Sequence, residues 1–221
     1  AQGNPLTVTK DYRPVYLDRM EASGFLDWHY KPLDEVYLND ALSKVNEFVS
    51  RVSAQYTLNR NLNFSIQYQH QKQVTDGTYR EDEGAYNVRN LVNRFTQLDA
   101  VTGSLSYPFP KGSILTLDNN VVQAQNLRGQ VNYNKNFGLH EVNALVGTEI
   151  REVNRDSYSR TSYGYNDQYG TAVTNLDFTT LYPINPANSS RLPSVPGSLY
   201  KGVNRFVSHY MNSSYTFDGR Y

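Results

Sequence analysis

Several features that define common protein classes are missing from this sequence. It contains no cysteine, so disulfides, thiol nucleophiles and cysteine-ligated metals are excluded. It has no run of 18 apolar residues, which excludes a transmembrane helix. Its 21 Lys and Arg balance 21 Asp and Glu. With no large basic field to attract a phosphate backbone, we expect no nucleic-acid partner.

Motifs for catalysis and for metal or phosphate binding are also missing. No G-x-S-x-G sequence orders a serine nucleophile, and no glycine-rich loop precedes a helix to bind phosphate. The four histidines lack the spacing of a metal site; they are His29, His70, His140 and His209. We interpret the acidic stretch at 81–83 and the Asp-Asn-Asn stretch at 118–120 as solvated loop charge rather than calcium ligands. The sequence therefore predicts neither an enzyme nor a resident cofactor or metal.

Tyrosine is abundant, with 19 Tyr beside nine Phe and a single Trp. A tyrosine ring is apolar and its hydroxyl stays hydrated, so this residue suits both strands and the boundary between lipid and water. The same composition is typical of a soluble β protein with a tyrosine-rich binding surface. Composition alone leaves both interpretations open.

The stretch from 126 to 154 has a two-residue period on both sides of one short turn at 137–139. In its second arm, even-numbered residues such as Val142 and Val146 are mostly apolar, whereas odd-numbered residues such as Asn143 and Glu149 are mostly polar. Alternation of this kind predicts a strand with one apolar and one polar face. The glycine at 138 favours a hairpin turn. We therefore predict an antiparallel hairpin with Val146 and Asn143 on opposite faces.

Other stretches repeat this pattern, and each holds it for roughly ten residues, the length of a tilted strand that crosses a bilayer. The five predicted spanning strands are 48–58, 62–72, 122–136, 140–153 and 203–217. The segments between them are long excursions at 1–45, 75–121 and 155–202, and a short helix is predicted near 86–97. The turns at 59–61 and 137–139 are short by comparison.

Short turns that alternate with long loops are typical of outer-membrane barrels. Loops this long are uncommon within compact soluble domains. We therefore predict an all-β fold of antiparallel up-and-down strands, forming part of a large transmembrane β-barrel with long extracellular loops. Five strands cannot close a barrel, because single-chain bacterial barrels begin at about eight. The sequence is thus expected to be one portion of a larger wall.

Candidate binding residues are predicted on the polar strand faces and in the long loops. The polar strand faces would line a water-filled lumen; the residues concerned are Gln67, Gln69, Arg128, Asn132, Asn143, Glu149 and Arg151. Aromatic side chains in the loops could stack on sugar rings or peptide side chains; these are Trp28, Tyr30, Tyr163, Tyr165 and Tyr169. Packing within the loops is the competing explanation for the aromatic set.

Several segments, taken in order, resemble the mid-barrel region of SusC/RagA-like TonB-dependent transporters of Bacteroidetes. The resemblance covers nearly the whole chain, and each segment is moderately specific. It rests mainly on GNPLTV at 3–8, LDWHYKPLDEV at 26–36, YTLNRNLNFSIQYQHQK at 56–72, YNVRNLVNRFTQ at 86–97, LRGQVNYNKNFGLHEVNALVGTEIRE at 127–152, YGYND at 163–167 and NRFVSHYMNSSYTFDGRY at 204–221.

The resemblance implies a bacterial outer-membrane importer of oligosaccharides or peptides that works with a SusD-like lipoprotein lid. It also implies an N-terminal plug and a TonB box, through which TonB would act. No segment here resembles either of these, so we expect both to lie outside this sequence. The alternative is a tyrosine-rich surface adhesin or a soluble β binding domain without transport activity.

Overall fold

The computed structural model describes residues 6–220, so the first five residues of the predicted 1–45 loop and Tyr221 lie outside it. The chain divides into two compact units. The loop unit comprises Ala1–Lys44, Asp76–Asp118 and Ser159–Ser198, and the sheet unit comprises Val45–Thr75, Asn119–Tyr158 and Leu199–Tyr221.

Helices and strands occur in the following order along the described residues: α1 (Pro14–Ala22), α2 (Pro32–Glu35), β1 (Asn39–Asn59), β2 (Leu62–Glu81), α3 (Tyr86–Phe95), β3 (Gln97–Leu98), β4 (Leu105–Ser106), β5 (Ser113–Phe137), β6 (His140–Tyr165), β7 (Tyr182–Pro183), β8 (Ser189–Ser190) and β9 (Ser198–Phe217). The five long strands form one sheet in the order β1-β2-β5-β6-β9. The all-β fold class is therefore confirmed. Within the described part of the chain, no helix is long and apolar enough to span a membrane.

The five strands are longer than the sequence predicts. β1 begins at Asn39 rather than 48, and β5 begins at Ser113 rather than 122. β6 continues to Tyr165, beyond the predicted end at 153. The prediction required alternating apolar residues, whereas strand pairing requires only main-chain N–H and C=O groups. Polar stretches such as 39–47 therefore extend the strands and shorten the excursions.

The short connections lie at one end of the sheet. The Asn134 amide donates to the Asn61 carbonyl at 2.8 Å, and the Asp218 amide donates to the Leu139 carbonyl at 2.8 Å. These bonds place the turn after β1 beside β5, and the turn after β9 beside the turn between β5 and β6. The position of the long excursions relative to these turns stays a prediction.

Two hydrophobic clusters form the interior of the loop unit. The first surrounds α3, whose apolar face includes Val88, Val92 and Phe95, and also contains the fully buried Phe109. The second packs Leu17 of α1 against Phe25, Trp28 and Tyr86. Apolar residues of α3 recur at helical spacing, which is why this helix was predictable from the sequence. The excursions are consequently folded around cores of their own.

Buried polar side chains fix α3 within the loop unit. Asn93 has no exposed surface; its side chain accepts from the Leu26 amide at 3.0 Å and donates to the Leu26 carbonyl at 2.9 Å. At the end of α3, the side chain of Asn185 donates to the carbonyls of Asn93 and Thr96. At its start, a Glu35 carboxylate oxygen accepts from the Tyr86 amide at 2.9 Å. A carboxylate there also complements the helix dipole.

Candidate functional site: the polar face of the sheet and the folded loops

Side-chain hydrogen bonds join the polar residues on one side of the sheet unit. Arg51 donates to the Oε1 atom of Gln69 through both Nε and Nη2, at 3.2 and 2.8 Å. The amide of Gln71 donates to Glu47 at 2.5 Å. These contacts connect β1 to β2. We call this side of the sheet the polar face; its bonded residues include Glu47, Arg51, Asn63, Gln69, Gln71, Asn126, Arg128, Gln130, Asn132, Glu149 and Tyr210.

The same network continues from β2 to β5 and β6. Asn132 donates to Asn63 at 2.7 Å and accepts from Gln130 at 2.8 Å. Asn126 donates to Glu149 at 3.0 Å. Because side chains alternate between the two faces along a strand, each of these bonds joins residues on the predicted polar side. Amide side chains thus hold one another in position across the middle of the sheet.

Tyr210 of β9 reaches β5 by passing over β6. Its hydroxyl accepts from Arg128 Nε at 2.6 Å and donates to Gln130 Oε1 at 3.2 Å. The strand between them carries Gly147 at this point, and a Cβ there would overlap the Cζ, Oη and Cε2 atoms of the tyrosine. Glycine is therefore required for this contact, since any side chain would occupy the space of the ring.

The opposite side of the sheet unit carries apolar side chains, and we call it the apolar face. It contains an open groove of about 430 Å³. The side chains at this groove include Phe64, Ile66, Val131, Val146 and His209. Val146 is 54% exposed. Large exposed apolar areas of this kind mark contact with a partner or a membrane rather than with water.

Charged groups are arranged differently on the two faces. Glu152 and Arg205 lie five residues from Gly147 and Tyr210 along their strands, so they point to the apolar face. There they form an ion pair of 2.6 Å. On the polar face, within the described residues, each hydrogen-bonded arginine or glutamate contacts an amide or hydroxyl group rather than an opposite charge. The apolar face thus carries a direct ion pair, whereas the hydrogen-bonded charges of the polar face contact uncharged groups.

An uncharged groove lies near the turn end of the polar face. Its volume is about 300 Å³. Asparagines and serines predominate among its residues, and Leu145 adds an apolar surface; the polar residues are Asn63, Asn132, Asn134, Asn143, Asn212, Ser213 and Ser214. Side-chain amides offer both donors and acceptors, so this groove can hydrogen-bond peptide units or sugar hydroxyls.

The predicted lumen residues therefore share a network rather than a single pocket. Gln69, Arg128, Asn132 and Glu149 make the contacts described above. Asn143 donates to Glu141 at 3.0 Å and borders the uncharged groove. Gln67 and Arg151 make no side-chain hydrogen bond or ion pair within the described residues. Their exposure to a lumen stays a prediction.

Two of the five loop aromatics are used in packing. Trp28 is 1% exposed, contacts Tyr12 and Phe25, and donates through its indole N–H to Asn90 at 3.0 Å. Tyr163 is 6% exposed and packs on Phe109. This burial favours packing within the loops as the explanation for both rings, and ligand contact by either stays a prediction. The sequence showed their loop position but not the clusters that bury them.

The remaining aromatics differ in accessibility. Tyr30 is half-buried and packs edge-on against Tyr86, with the Lys10 ammonium group 4.3 Å from its ring centre. Tyr169 is 71% exposed. Tyr165 lies at a polar pocket of about 450 Å³, which also includes Lys111 and Asp167. Ligand contact by these three tyrosines stays a prediction.

Close main-chain contact shapes this polar pocket of the loop unit. Gly112 has a φ of +115°, and a Cβ there would lie 3.0 Å from the Gly164 carbonyl carbon and from the Tyr165 carbonyl oxygen. Arg80 pairs with both Asp40 and Asp167, at 2.6 and 3.1 Å. The pocket therefore has a wall of backbone and a carboxylate fixed by an arginine.

A cluster of charged side chains beside α1 has a structural role. Glu21, Asp27 and His29 offer ligand atoms within 4.8 Å of one another. Asp27, however, already binds Lys31 at 3.0 Å and Arg89 at 3.5 Å. Burial alone would raise the pKa of Asp27, but the His29 amide together with Lys31 and Arg89 lowers it overall. Because Asp27 already has these partners, the cluster is better explained as a stabilising network than as a metal site.

Comparison with known proteins gives evidence on the fold. No family model and no curated protein matches the sequence. Similar solved structures include the RagAB peptide transporter, with a TM-score of 0.59 and 14% identity. They also include the RagAB peptide importer in the "closed-closed" state, with a TM-score of 0.58 and 13% identity. The chain shares a fold with part of a RagAB transporter structure. Each match covers 87% of this chain and 18% of the other, so the chain spans about a fifth of their length.

Sequence reasoning missed Gly147 and Tyr210 as members of the polar network. The alternation places residue 147 on the polar face, but glycine has no side-chain functional group that would mark it as part of a site. Tyr210 is one of 19 tyrosines. The only available signal was a small residue in the middle of a polar strand face, where the neighbouring strand can supply a large side chain.

Proposed function

We propose that this chain forms part of the wall of a bacterial outer-membrane transport barrel. The apolar face would contact lipid, and the polar face would line the lumen. The observation that carries this proposal is the width of the apolar band. An aromatic group of His140, Tyr215 and Phe217 lies beside the turns. The ion pair of Glu152 and Arg205 lies farther along the same face.

The distance from the aromatic group to the ion pair matches the thickness of the hydrocarbon core of a bilayer. From His140 to Glu152, β6 rises roughly 40 Å at about 3.3 Å per residue. A strand tilt of about 45° reduces this to roughly 28 Å across the membrane, close to the thickness of a hydrocarbon core. Aromatic residues at one boundary and paired charges at the other are the arrangement expected at the edges of such a band.

The cargo is proposed to be a peptide, with oligosaccharides as the second class. Support comes from the fold shared with a RagAB peptide transporter and from the amide-rich groove of the polar face. Among the described residues, no aromatic ring borders that groove, whereas stacking platforms are a common means of holding sugars. We assign no covalent chemistry to this chain.

Its partners are proposed from the same relationship. A SusD-like lipoprotein lid would bind the folded loops. TonB would act through a plug region belonging to the full-length protein. The wall itself would contribute rigidity, polar lining and docking surface.

Reconstitution of the full-length protein tests the proposal. We expect it to require detergent for solubility and to insert into phospholipid vesicles, where the sheet unit becomes resistant to protease. A protein that remains soluble and monomeric without detergent would contradict the barrel and favour the adhesin or soluble binding domain. Uptake of radiolabelled peptides into cells carrying the protein then tests the cargo class.

A further inference from the structure

The described residues that contact the guanidinium group of Arg128 are uncharged. Its Nε donates to the Tyr210 hydroxyl at 2.6 Å, and one Nη atom donates to Gln130 Oε1 at 3.1 Å. Its central carbon lies 4.7 Å from the centre of the Tyr210 ring. Among the described residues, no carboxylate oxygen comes within 4.0 Å of this group. Its positive charge is thus oriented but not neutralised.

The groups that hold Arg128 are themselves fixed. Tyr210 lies against Gly147, and its hydroxyl bonds to Gln130 as well as to Arg128. Gln130 is bonded in turn to Asn132, and Asn132 to Asn63. The chain of bonds extends from β2 to β9. Because guanidinium is a planar fork of donors, fixing its orientation also fixes the direction in which its unused N–H groups point.

Arg205, which lies on the apolar face of the same sheet, has a carboxylate partner. It contacts Glu152 at 2.6 Å at one edge of the apolar band. Arg128 has no such partner in the part of the chain that the structure describes. The guanidinium group of Arg128 is therefore free to bind a negative group that a ligand supplies.

We propose that Arg128 binds a carboxylate group of a peptide passing along the polar face. The inference rests on the proposed transport function. Carboxylate fits because its two oxygens match the parallel N–H groups of a guanidinium fork. A doubly charged phosphate fits less well, because Glu149 bonds to Asn126, two residues from Arg128, and adds negative charge nearby. Every unmodified peptide carries at least one carboxylate, at its C-terminus.

Binding measurements on the full-length protein in detergent micelles test this assignment. Four synthetic tripeptides would be titrated calorimetrically: Ala-Glu-Ala and Ala-Gln-Ala, each with a free or an amidated C-terminus. We expect Arg128→Gln to weaken binding of the preferred carboxylate peptide about tenfold, the scale of one charge-assisted hydrogen bond. Binding of amidated Ala-Gln-Ala should be unchanged. Comparison of the four peptides shows whether the side-chain or the terminal carboxylate is bound.

Arg205→Gln is the matched control, because it removes the same charge from the opposite face. We expect it to leave all four affinities unchanged. Equal losses for the charged and uncharged peptides in Arg128→Gln would overturn the assignment, as would no binding of any peptide by the unsubstituted protein. Arg128-dependent binding of Ala-phosphoserine-Ala that exceeds binding of Ala-Glu-Ala would replace carboxylate with phosphate. Failure of the transport proposal would instead appear in the separate vesicle-insertion assay.

Discussion

The ring of Tyr210 lies directly on the backbone of Gly147, which belongs to the neighbouring strand. A Cβ at position 147 would overlap three atoms of the tyrosine. The contact lets β9 bond to β5 across β6, so two strands that are not adjacent share a hydrogen-bond network.

Substitution of this glycine should be destabilising. We expect Gly147→Ala to lower the free energy of unfolding by about 1–3 kcal/mol, because the tyrosine ring must move. Gly129→Ala is the control, since no atom lies within 4 Å of a Cβ built there. That variant should be neutral or slightly stabilising. Urea titration in vesicles measures both, and equal effects would show that the ring contact contributes nothing.

The two faces of β6 should respond oppositely to a new charge. We expect Val146→Arg to cost about 2–4 kcal/mol at mid-membrane and to impair insertion into lipid. Asn143→Arg, of opposite parity, should insert normally because its side chain meets water. Folding yield in vesicles, read from protease protection, distinguishes them. Equal insertion of the two variants would mean that this strand does not face lipid.

Alkaline pH should weaken the second hydrophobic cluster of the loop unit. The pKa of Tyr86 is well above its usual value, first because of burial and next because its hydroxyl donates to Asp11 at 2.9 Å. A raised pKa in the folded state gives stability that is complete below pH 10 and decreases as pH rises further, because the unfolded chain ionises first.

Fluorescence of Trp28, which packs in the same cluster, can follow this change. Emission should shift between pH 10 and 12 in the unsubstituted chain, and the shift should be smaller in Tyr86→Phe. Tyr169→Phe is the control, since Tyr169 is 71% exposed. A Tyr86→Phe variant with an unaltered alkaline transition would assign that transition to another group.

The loop unit offers a test of the proposed lid. Deleting 164–198 would also remove Leu192, a core residue, so a surface substitution is more specific. Leu181 is 62% exposed. We expect Leu181→Glu to reduce co-purification of the lipoprotein several-fold without loss of barrel folding, because a charge disrupts an apolar contact.

Val15 provides a comparison on another excursion, since it is 80% exposed in α1. Val15→Glu should leave co-purification unchanged. If Val15→Glu reduced co-purification and Leu181→Glu did not, the docking surface would lie on the first excursion. If neither variant reduced co-purification, neither residue would belong to the lid contact.

Period-two alternation was sufficient to predict the five strands, their turns and the polar and apolar sides of β6. It could not predict that β1 starts at Asn39, because main-chain pairing does not depend on apolar side chains. It also could not distinguish buried Trp28 from exposed Tyr169, since the loop sequences show no periodic pattern of apolar residues. The contact between Gly147 and Tyr210 depends on strand register, which alternation alone does not supply.

The cores of the loop unit bear on the energetics of association. Asn93 and Asn185 tie α3 to other segments through buried bonds, and Phe109 has no exposed surface. A surface already ordered in this way loses little conformational entropy when a partner docks. Calorimetry of such docking should show the modest heat-capacity change of rigid surfaces meeting, rather than the large negative change that accompanies coupled folding and binding.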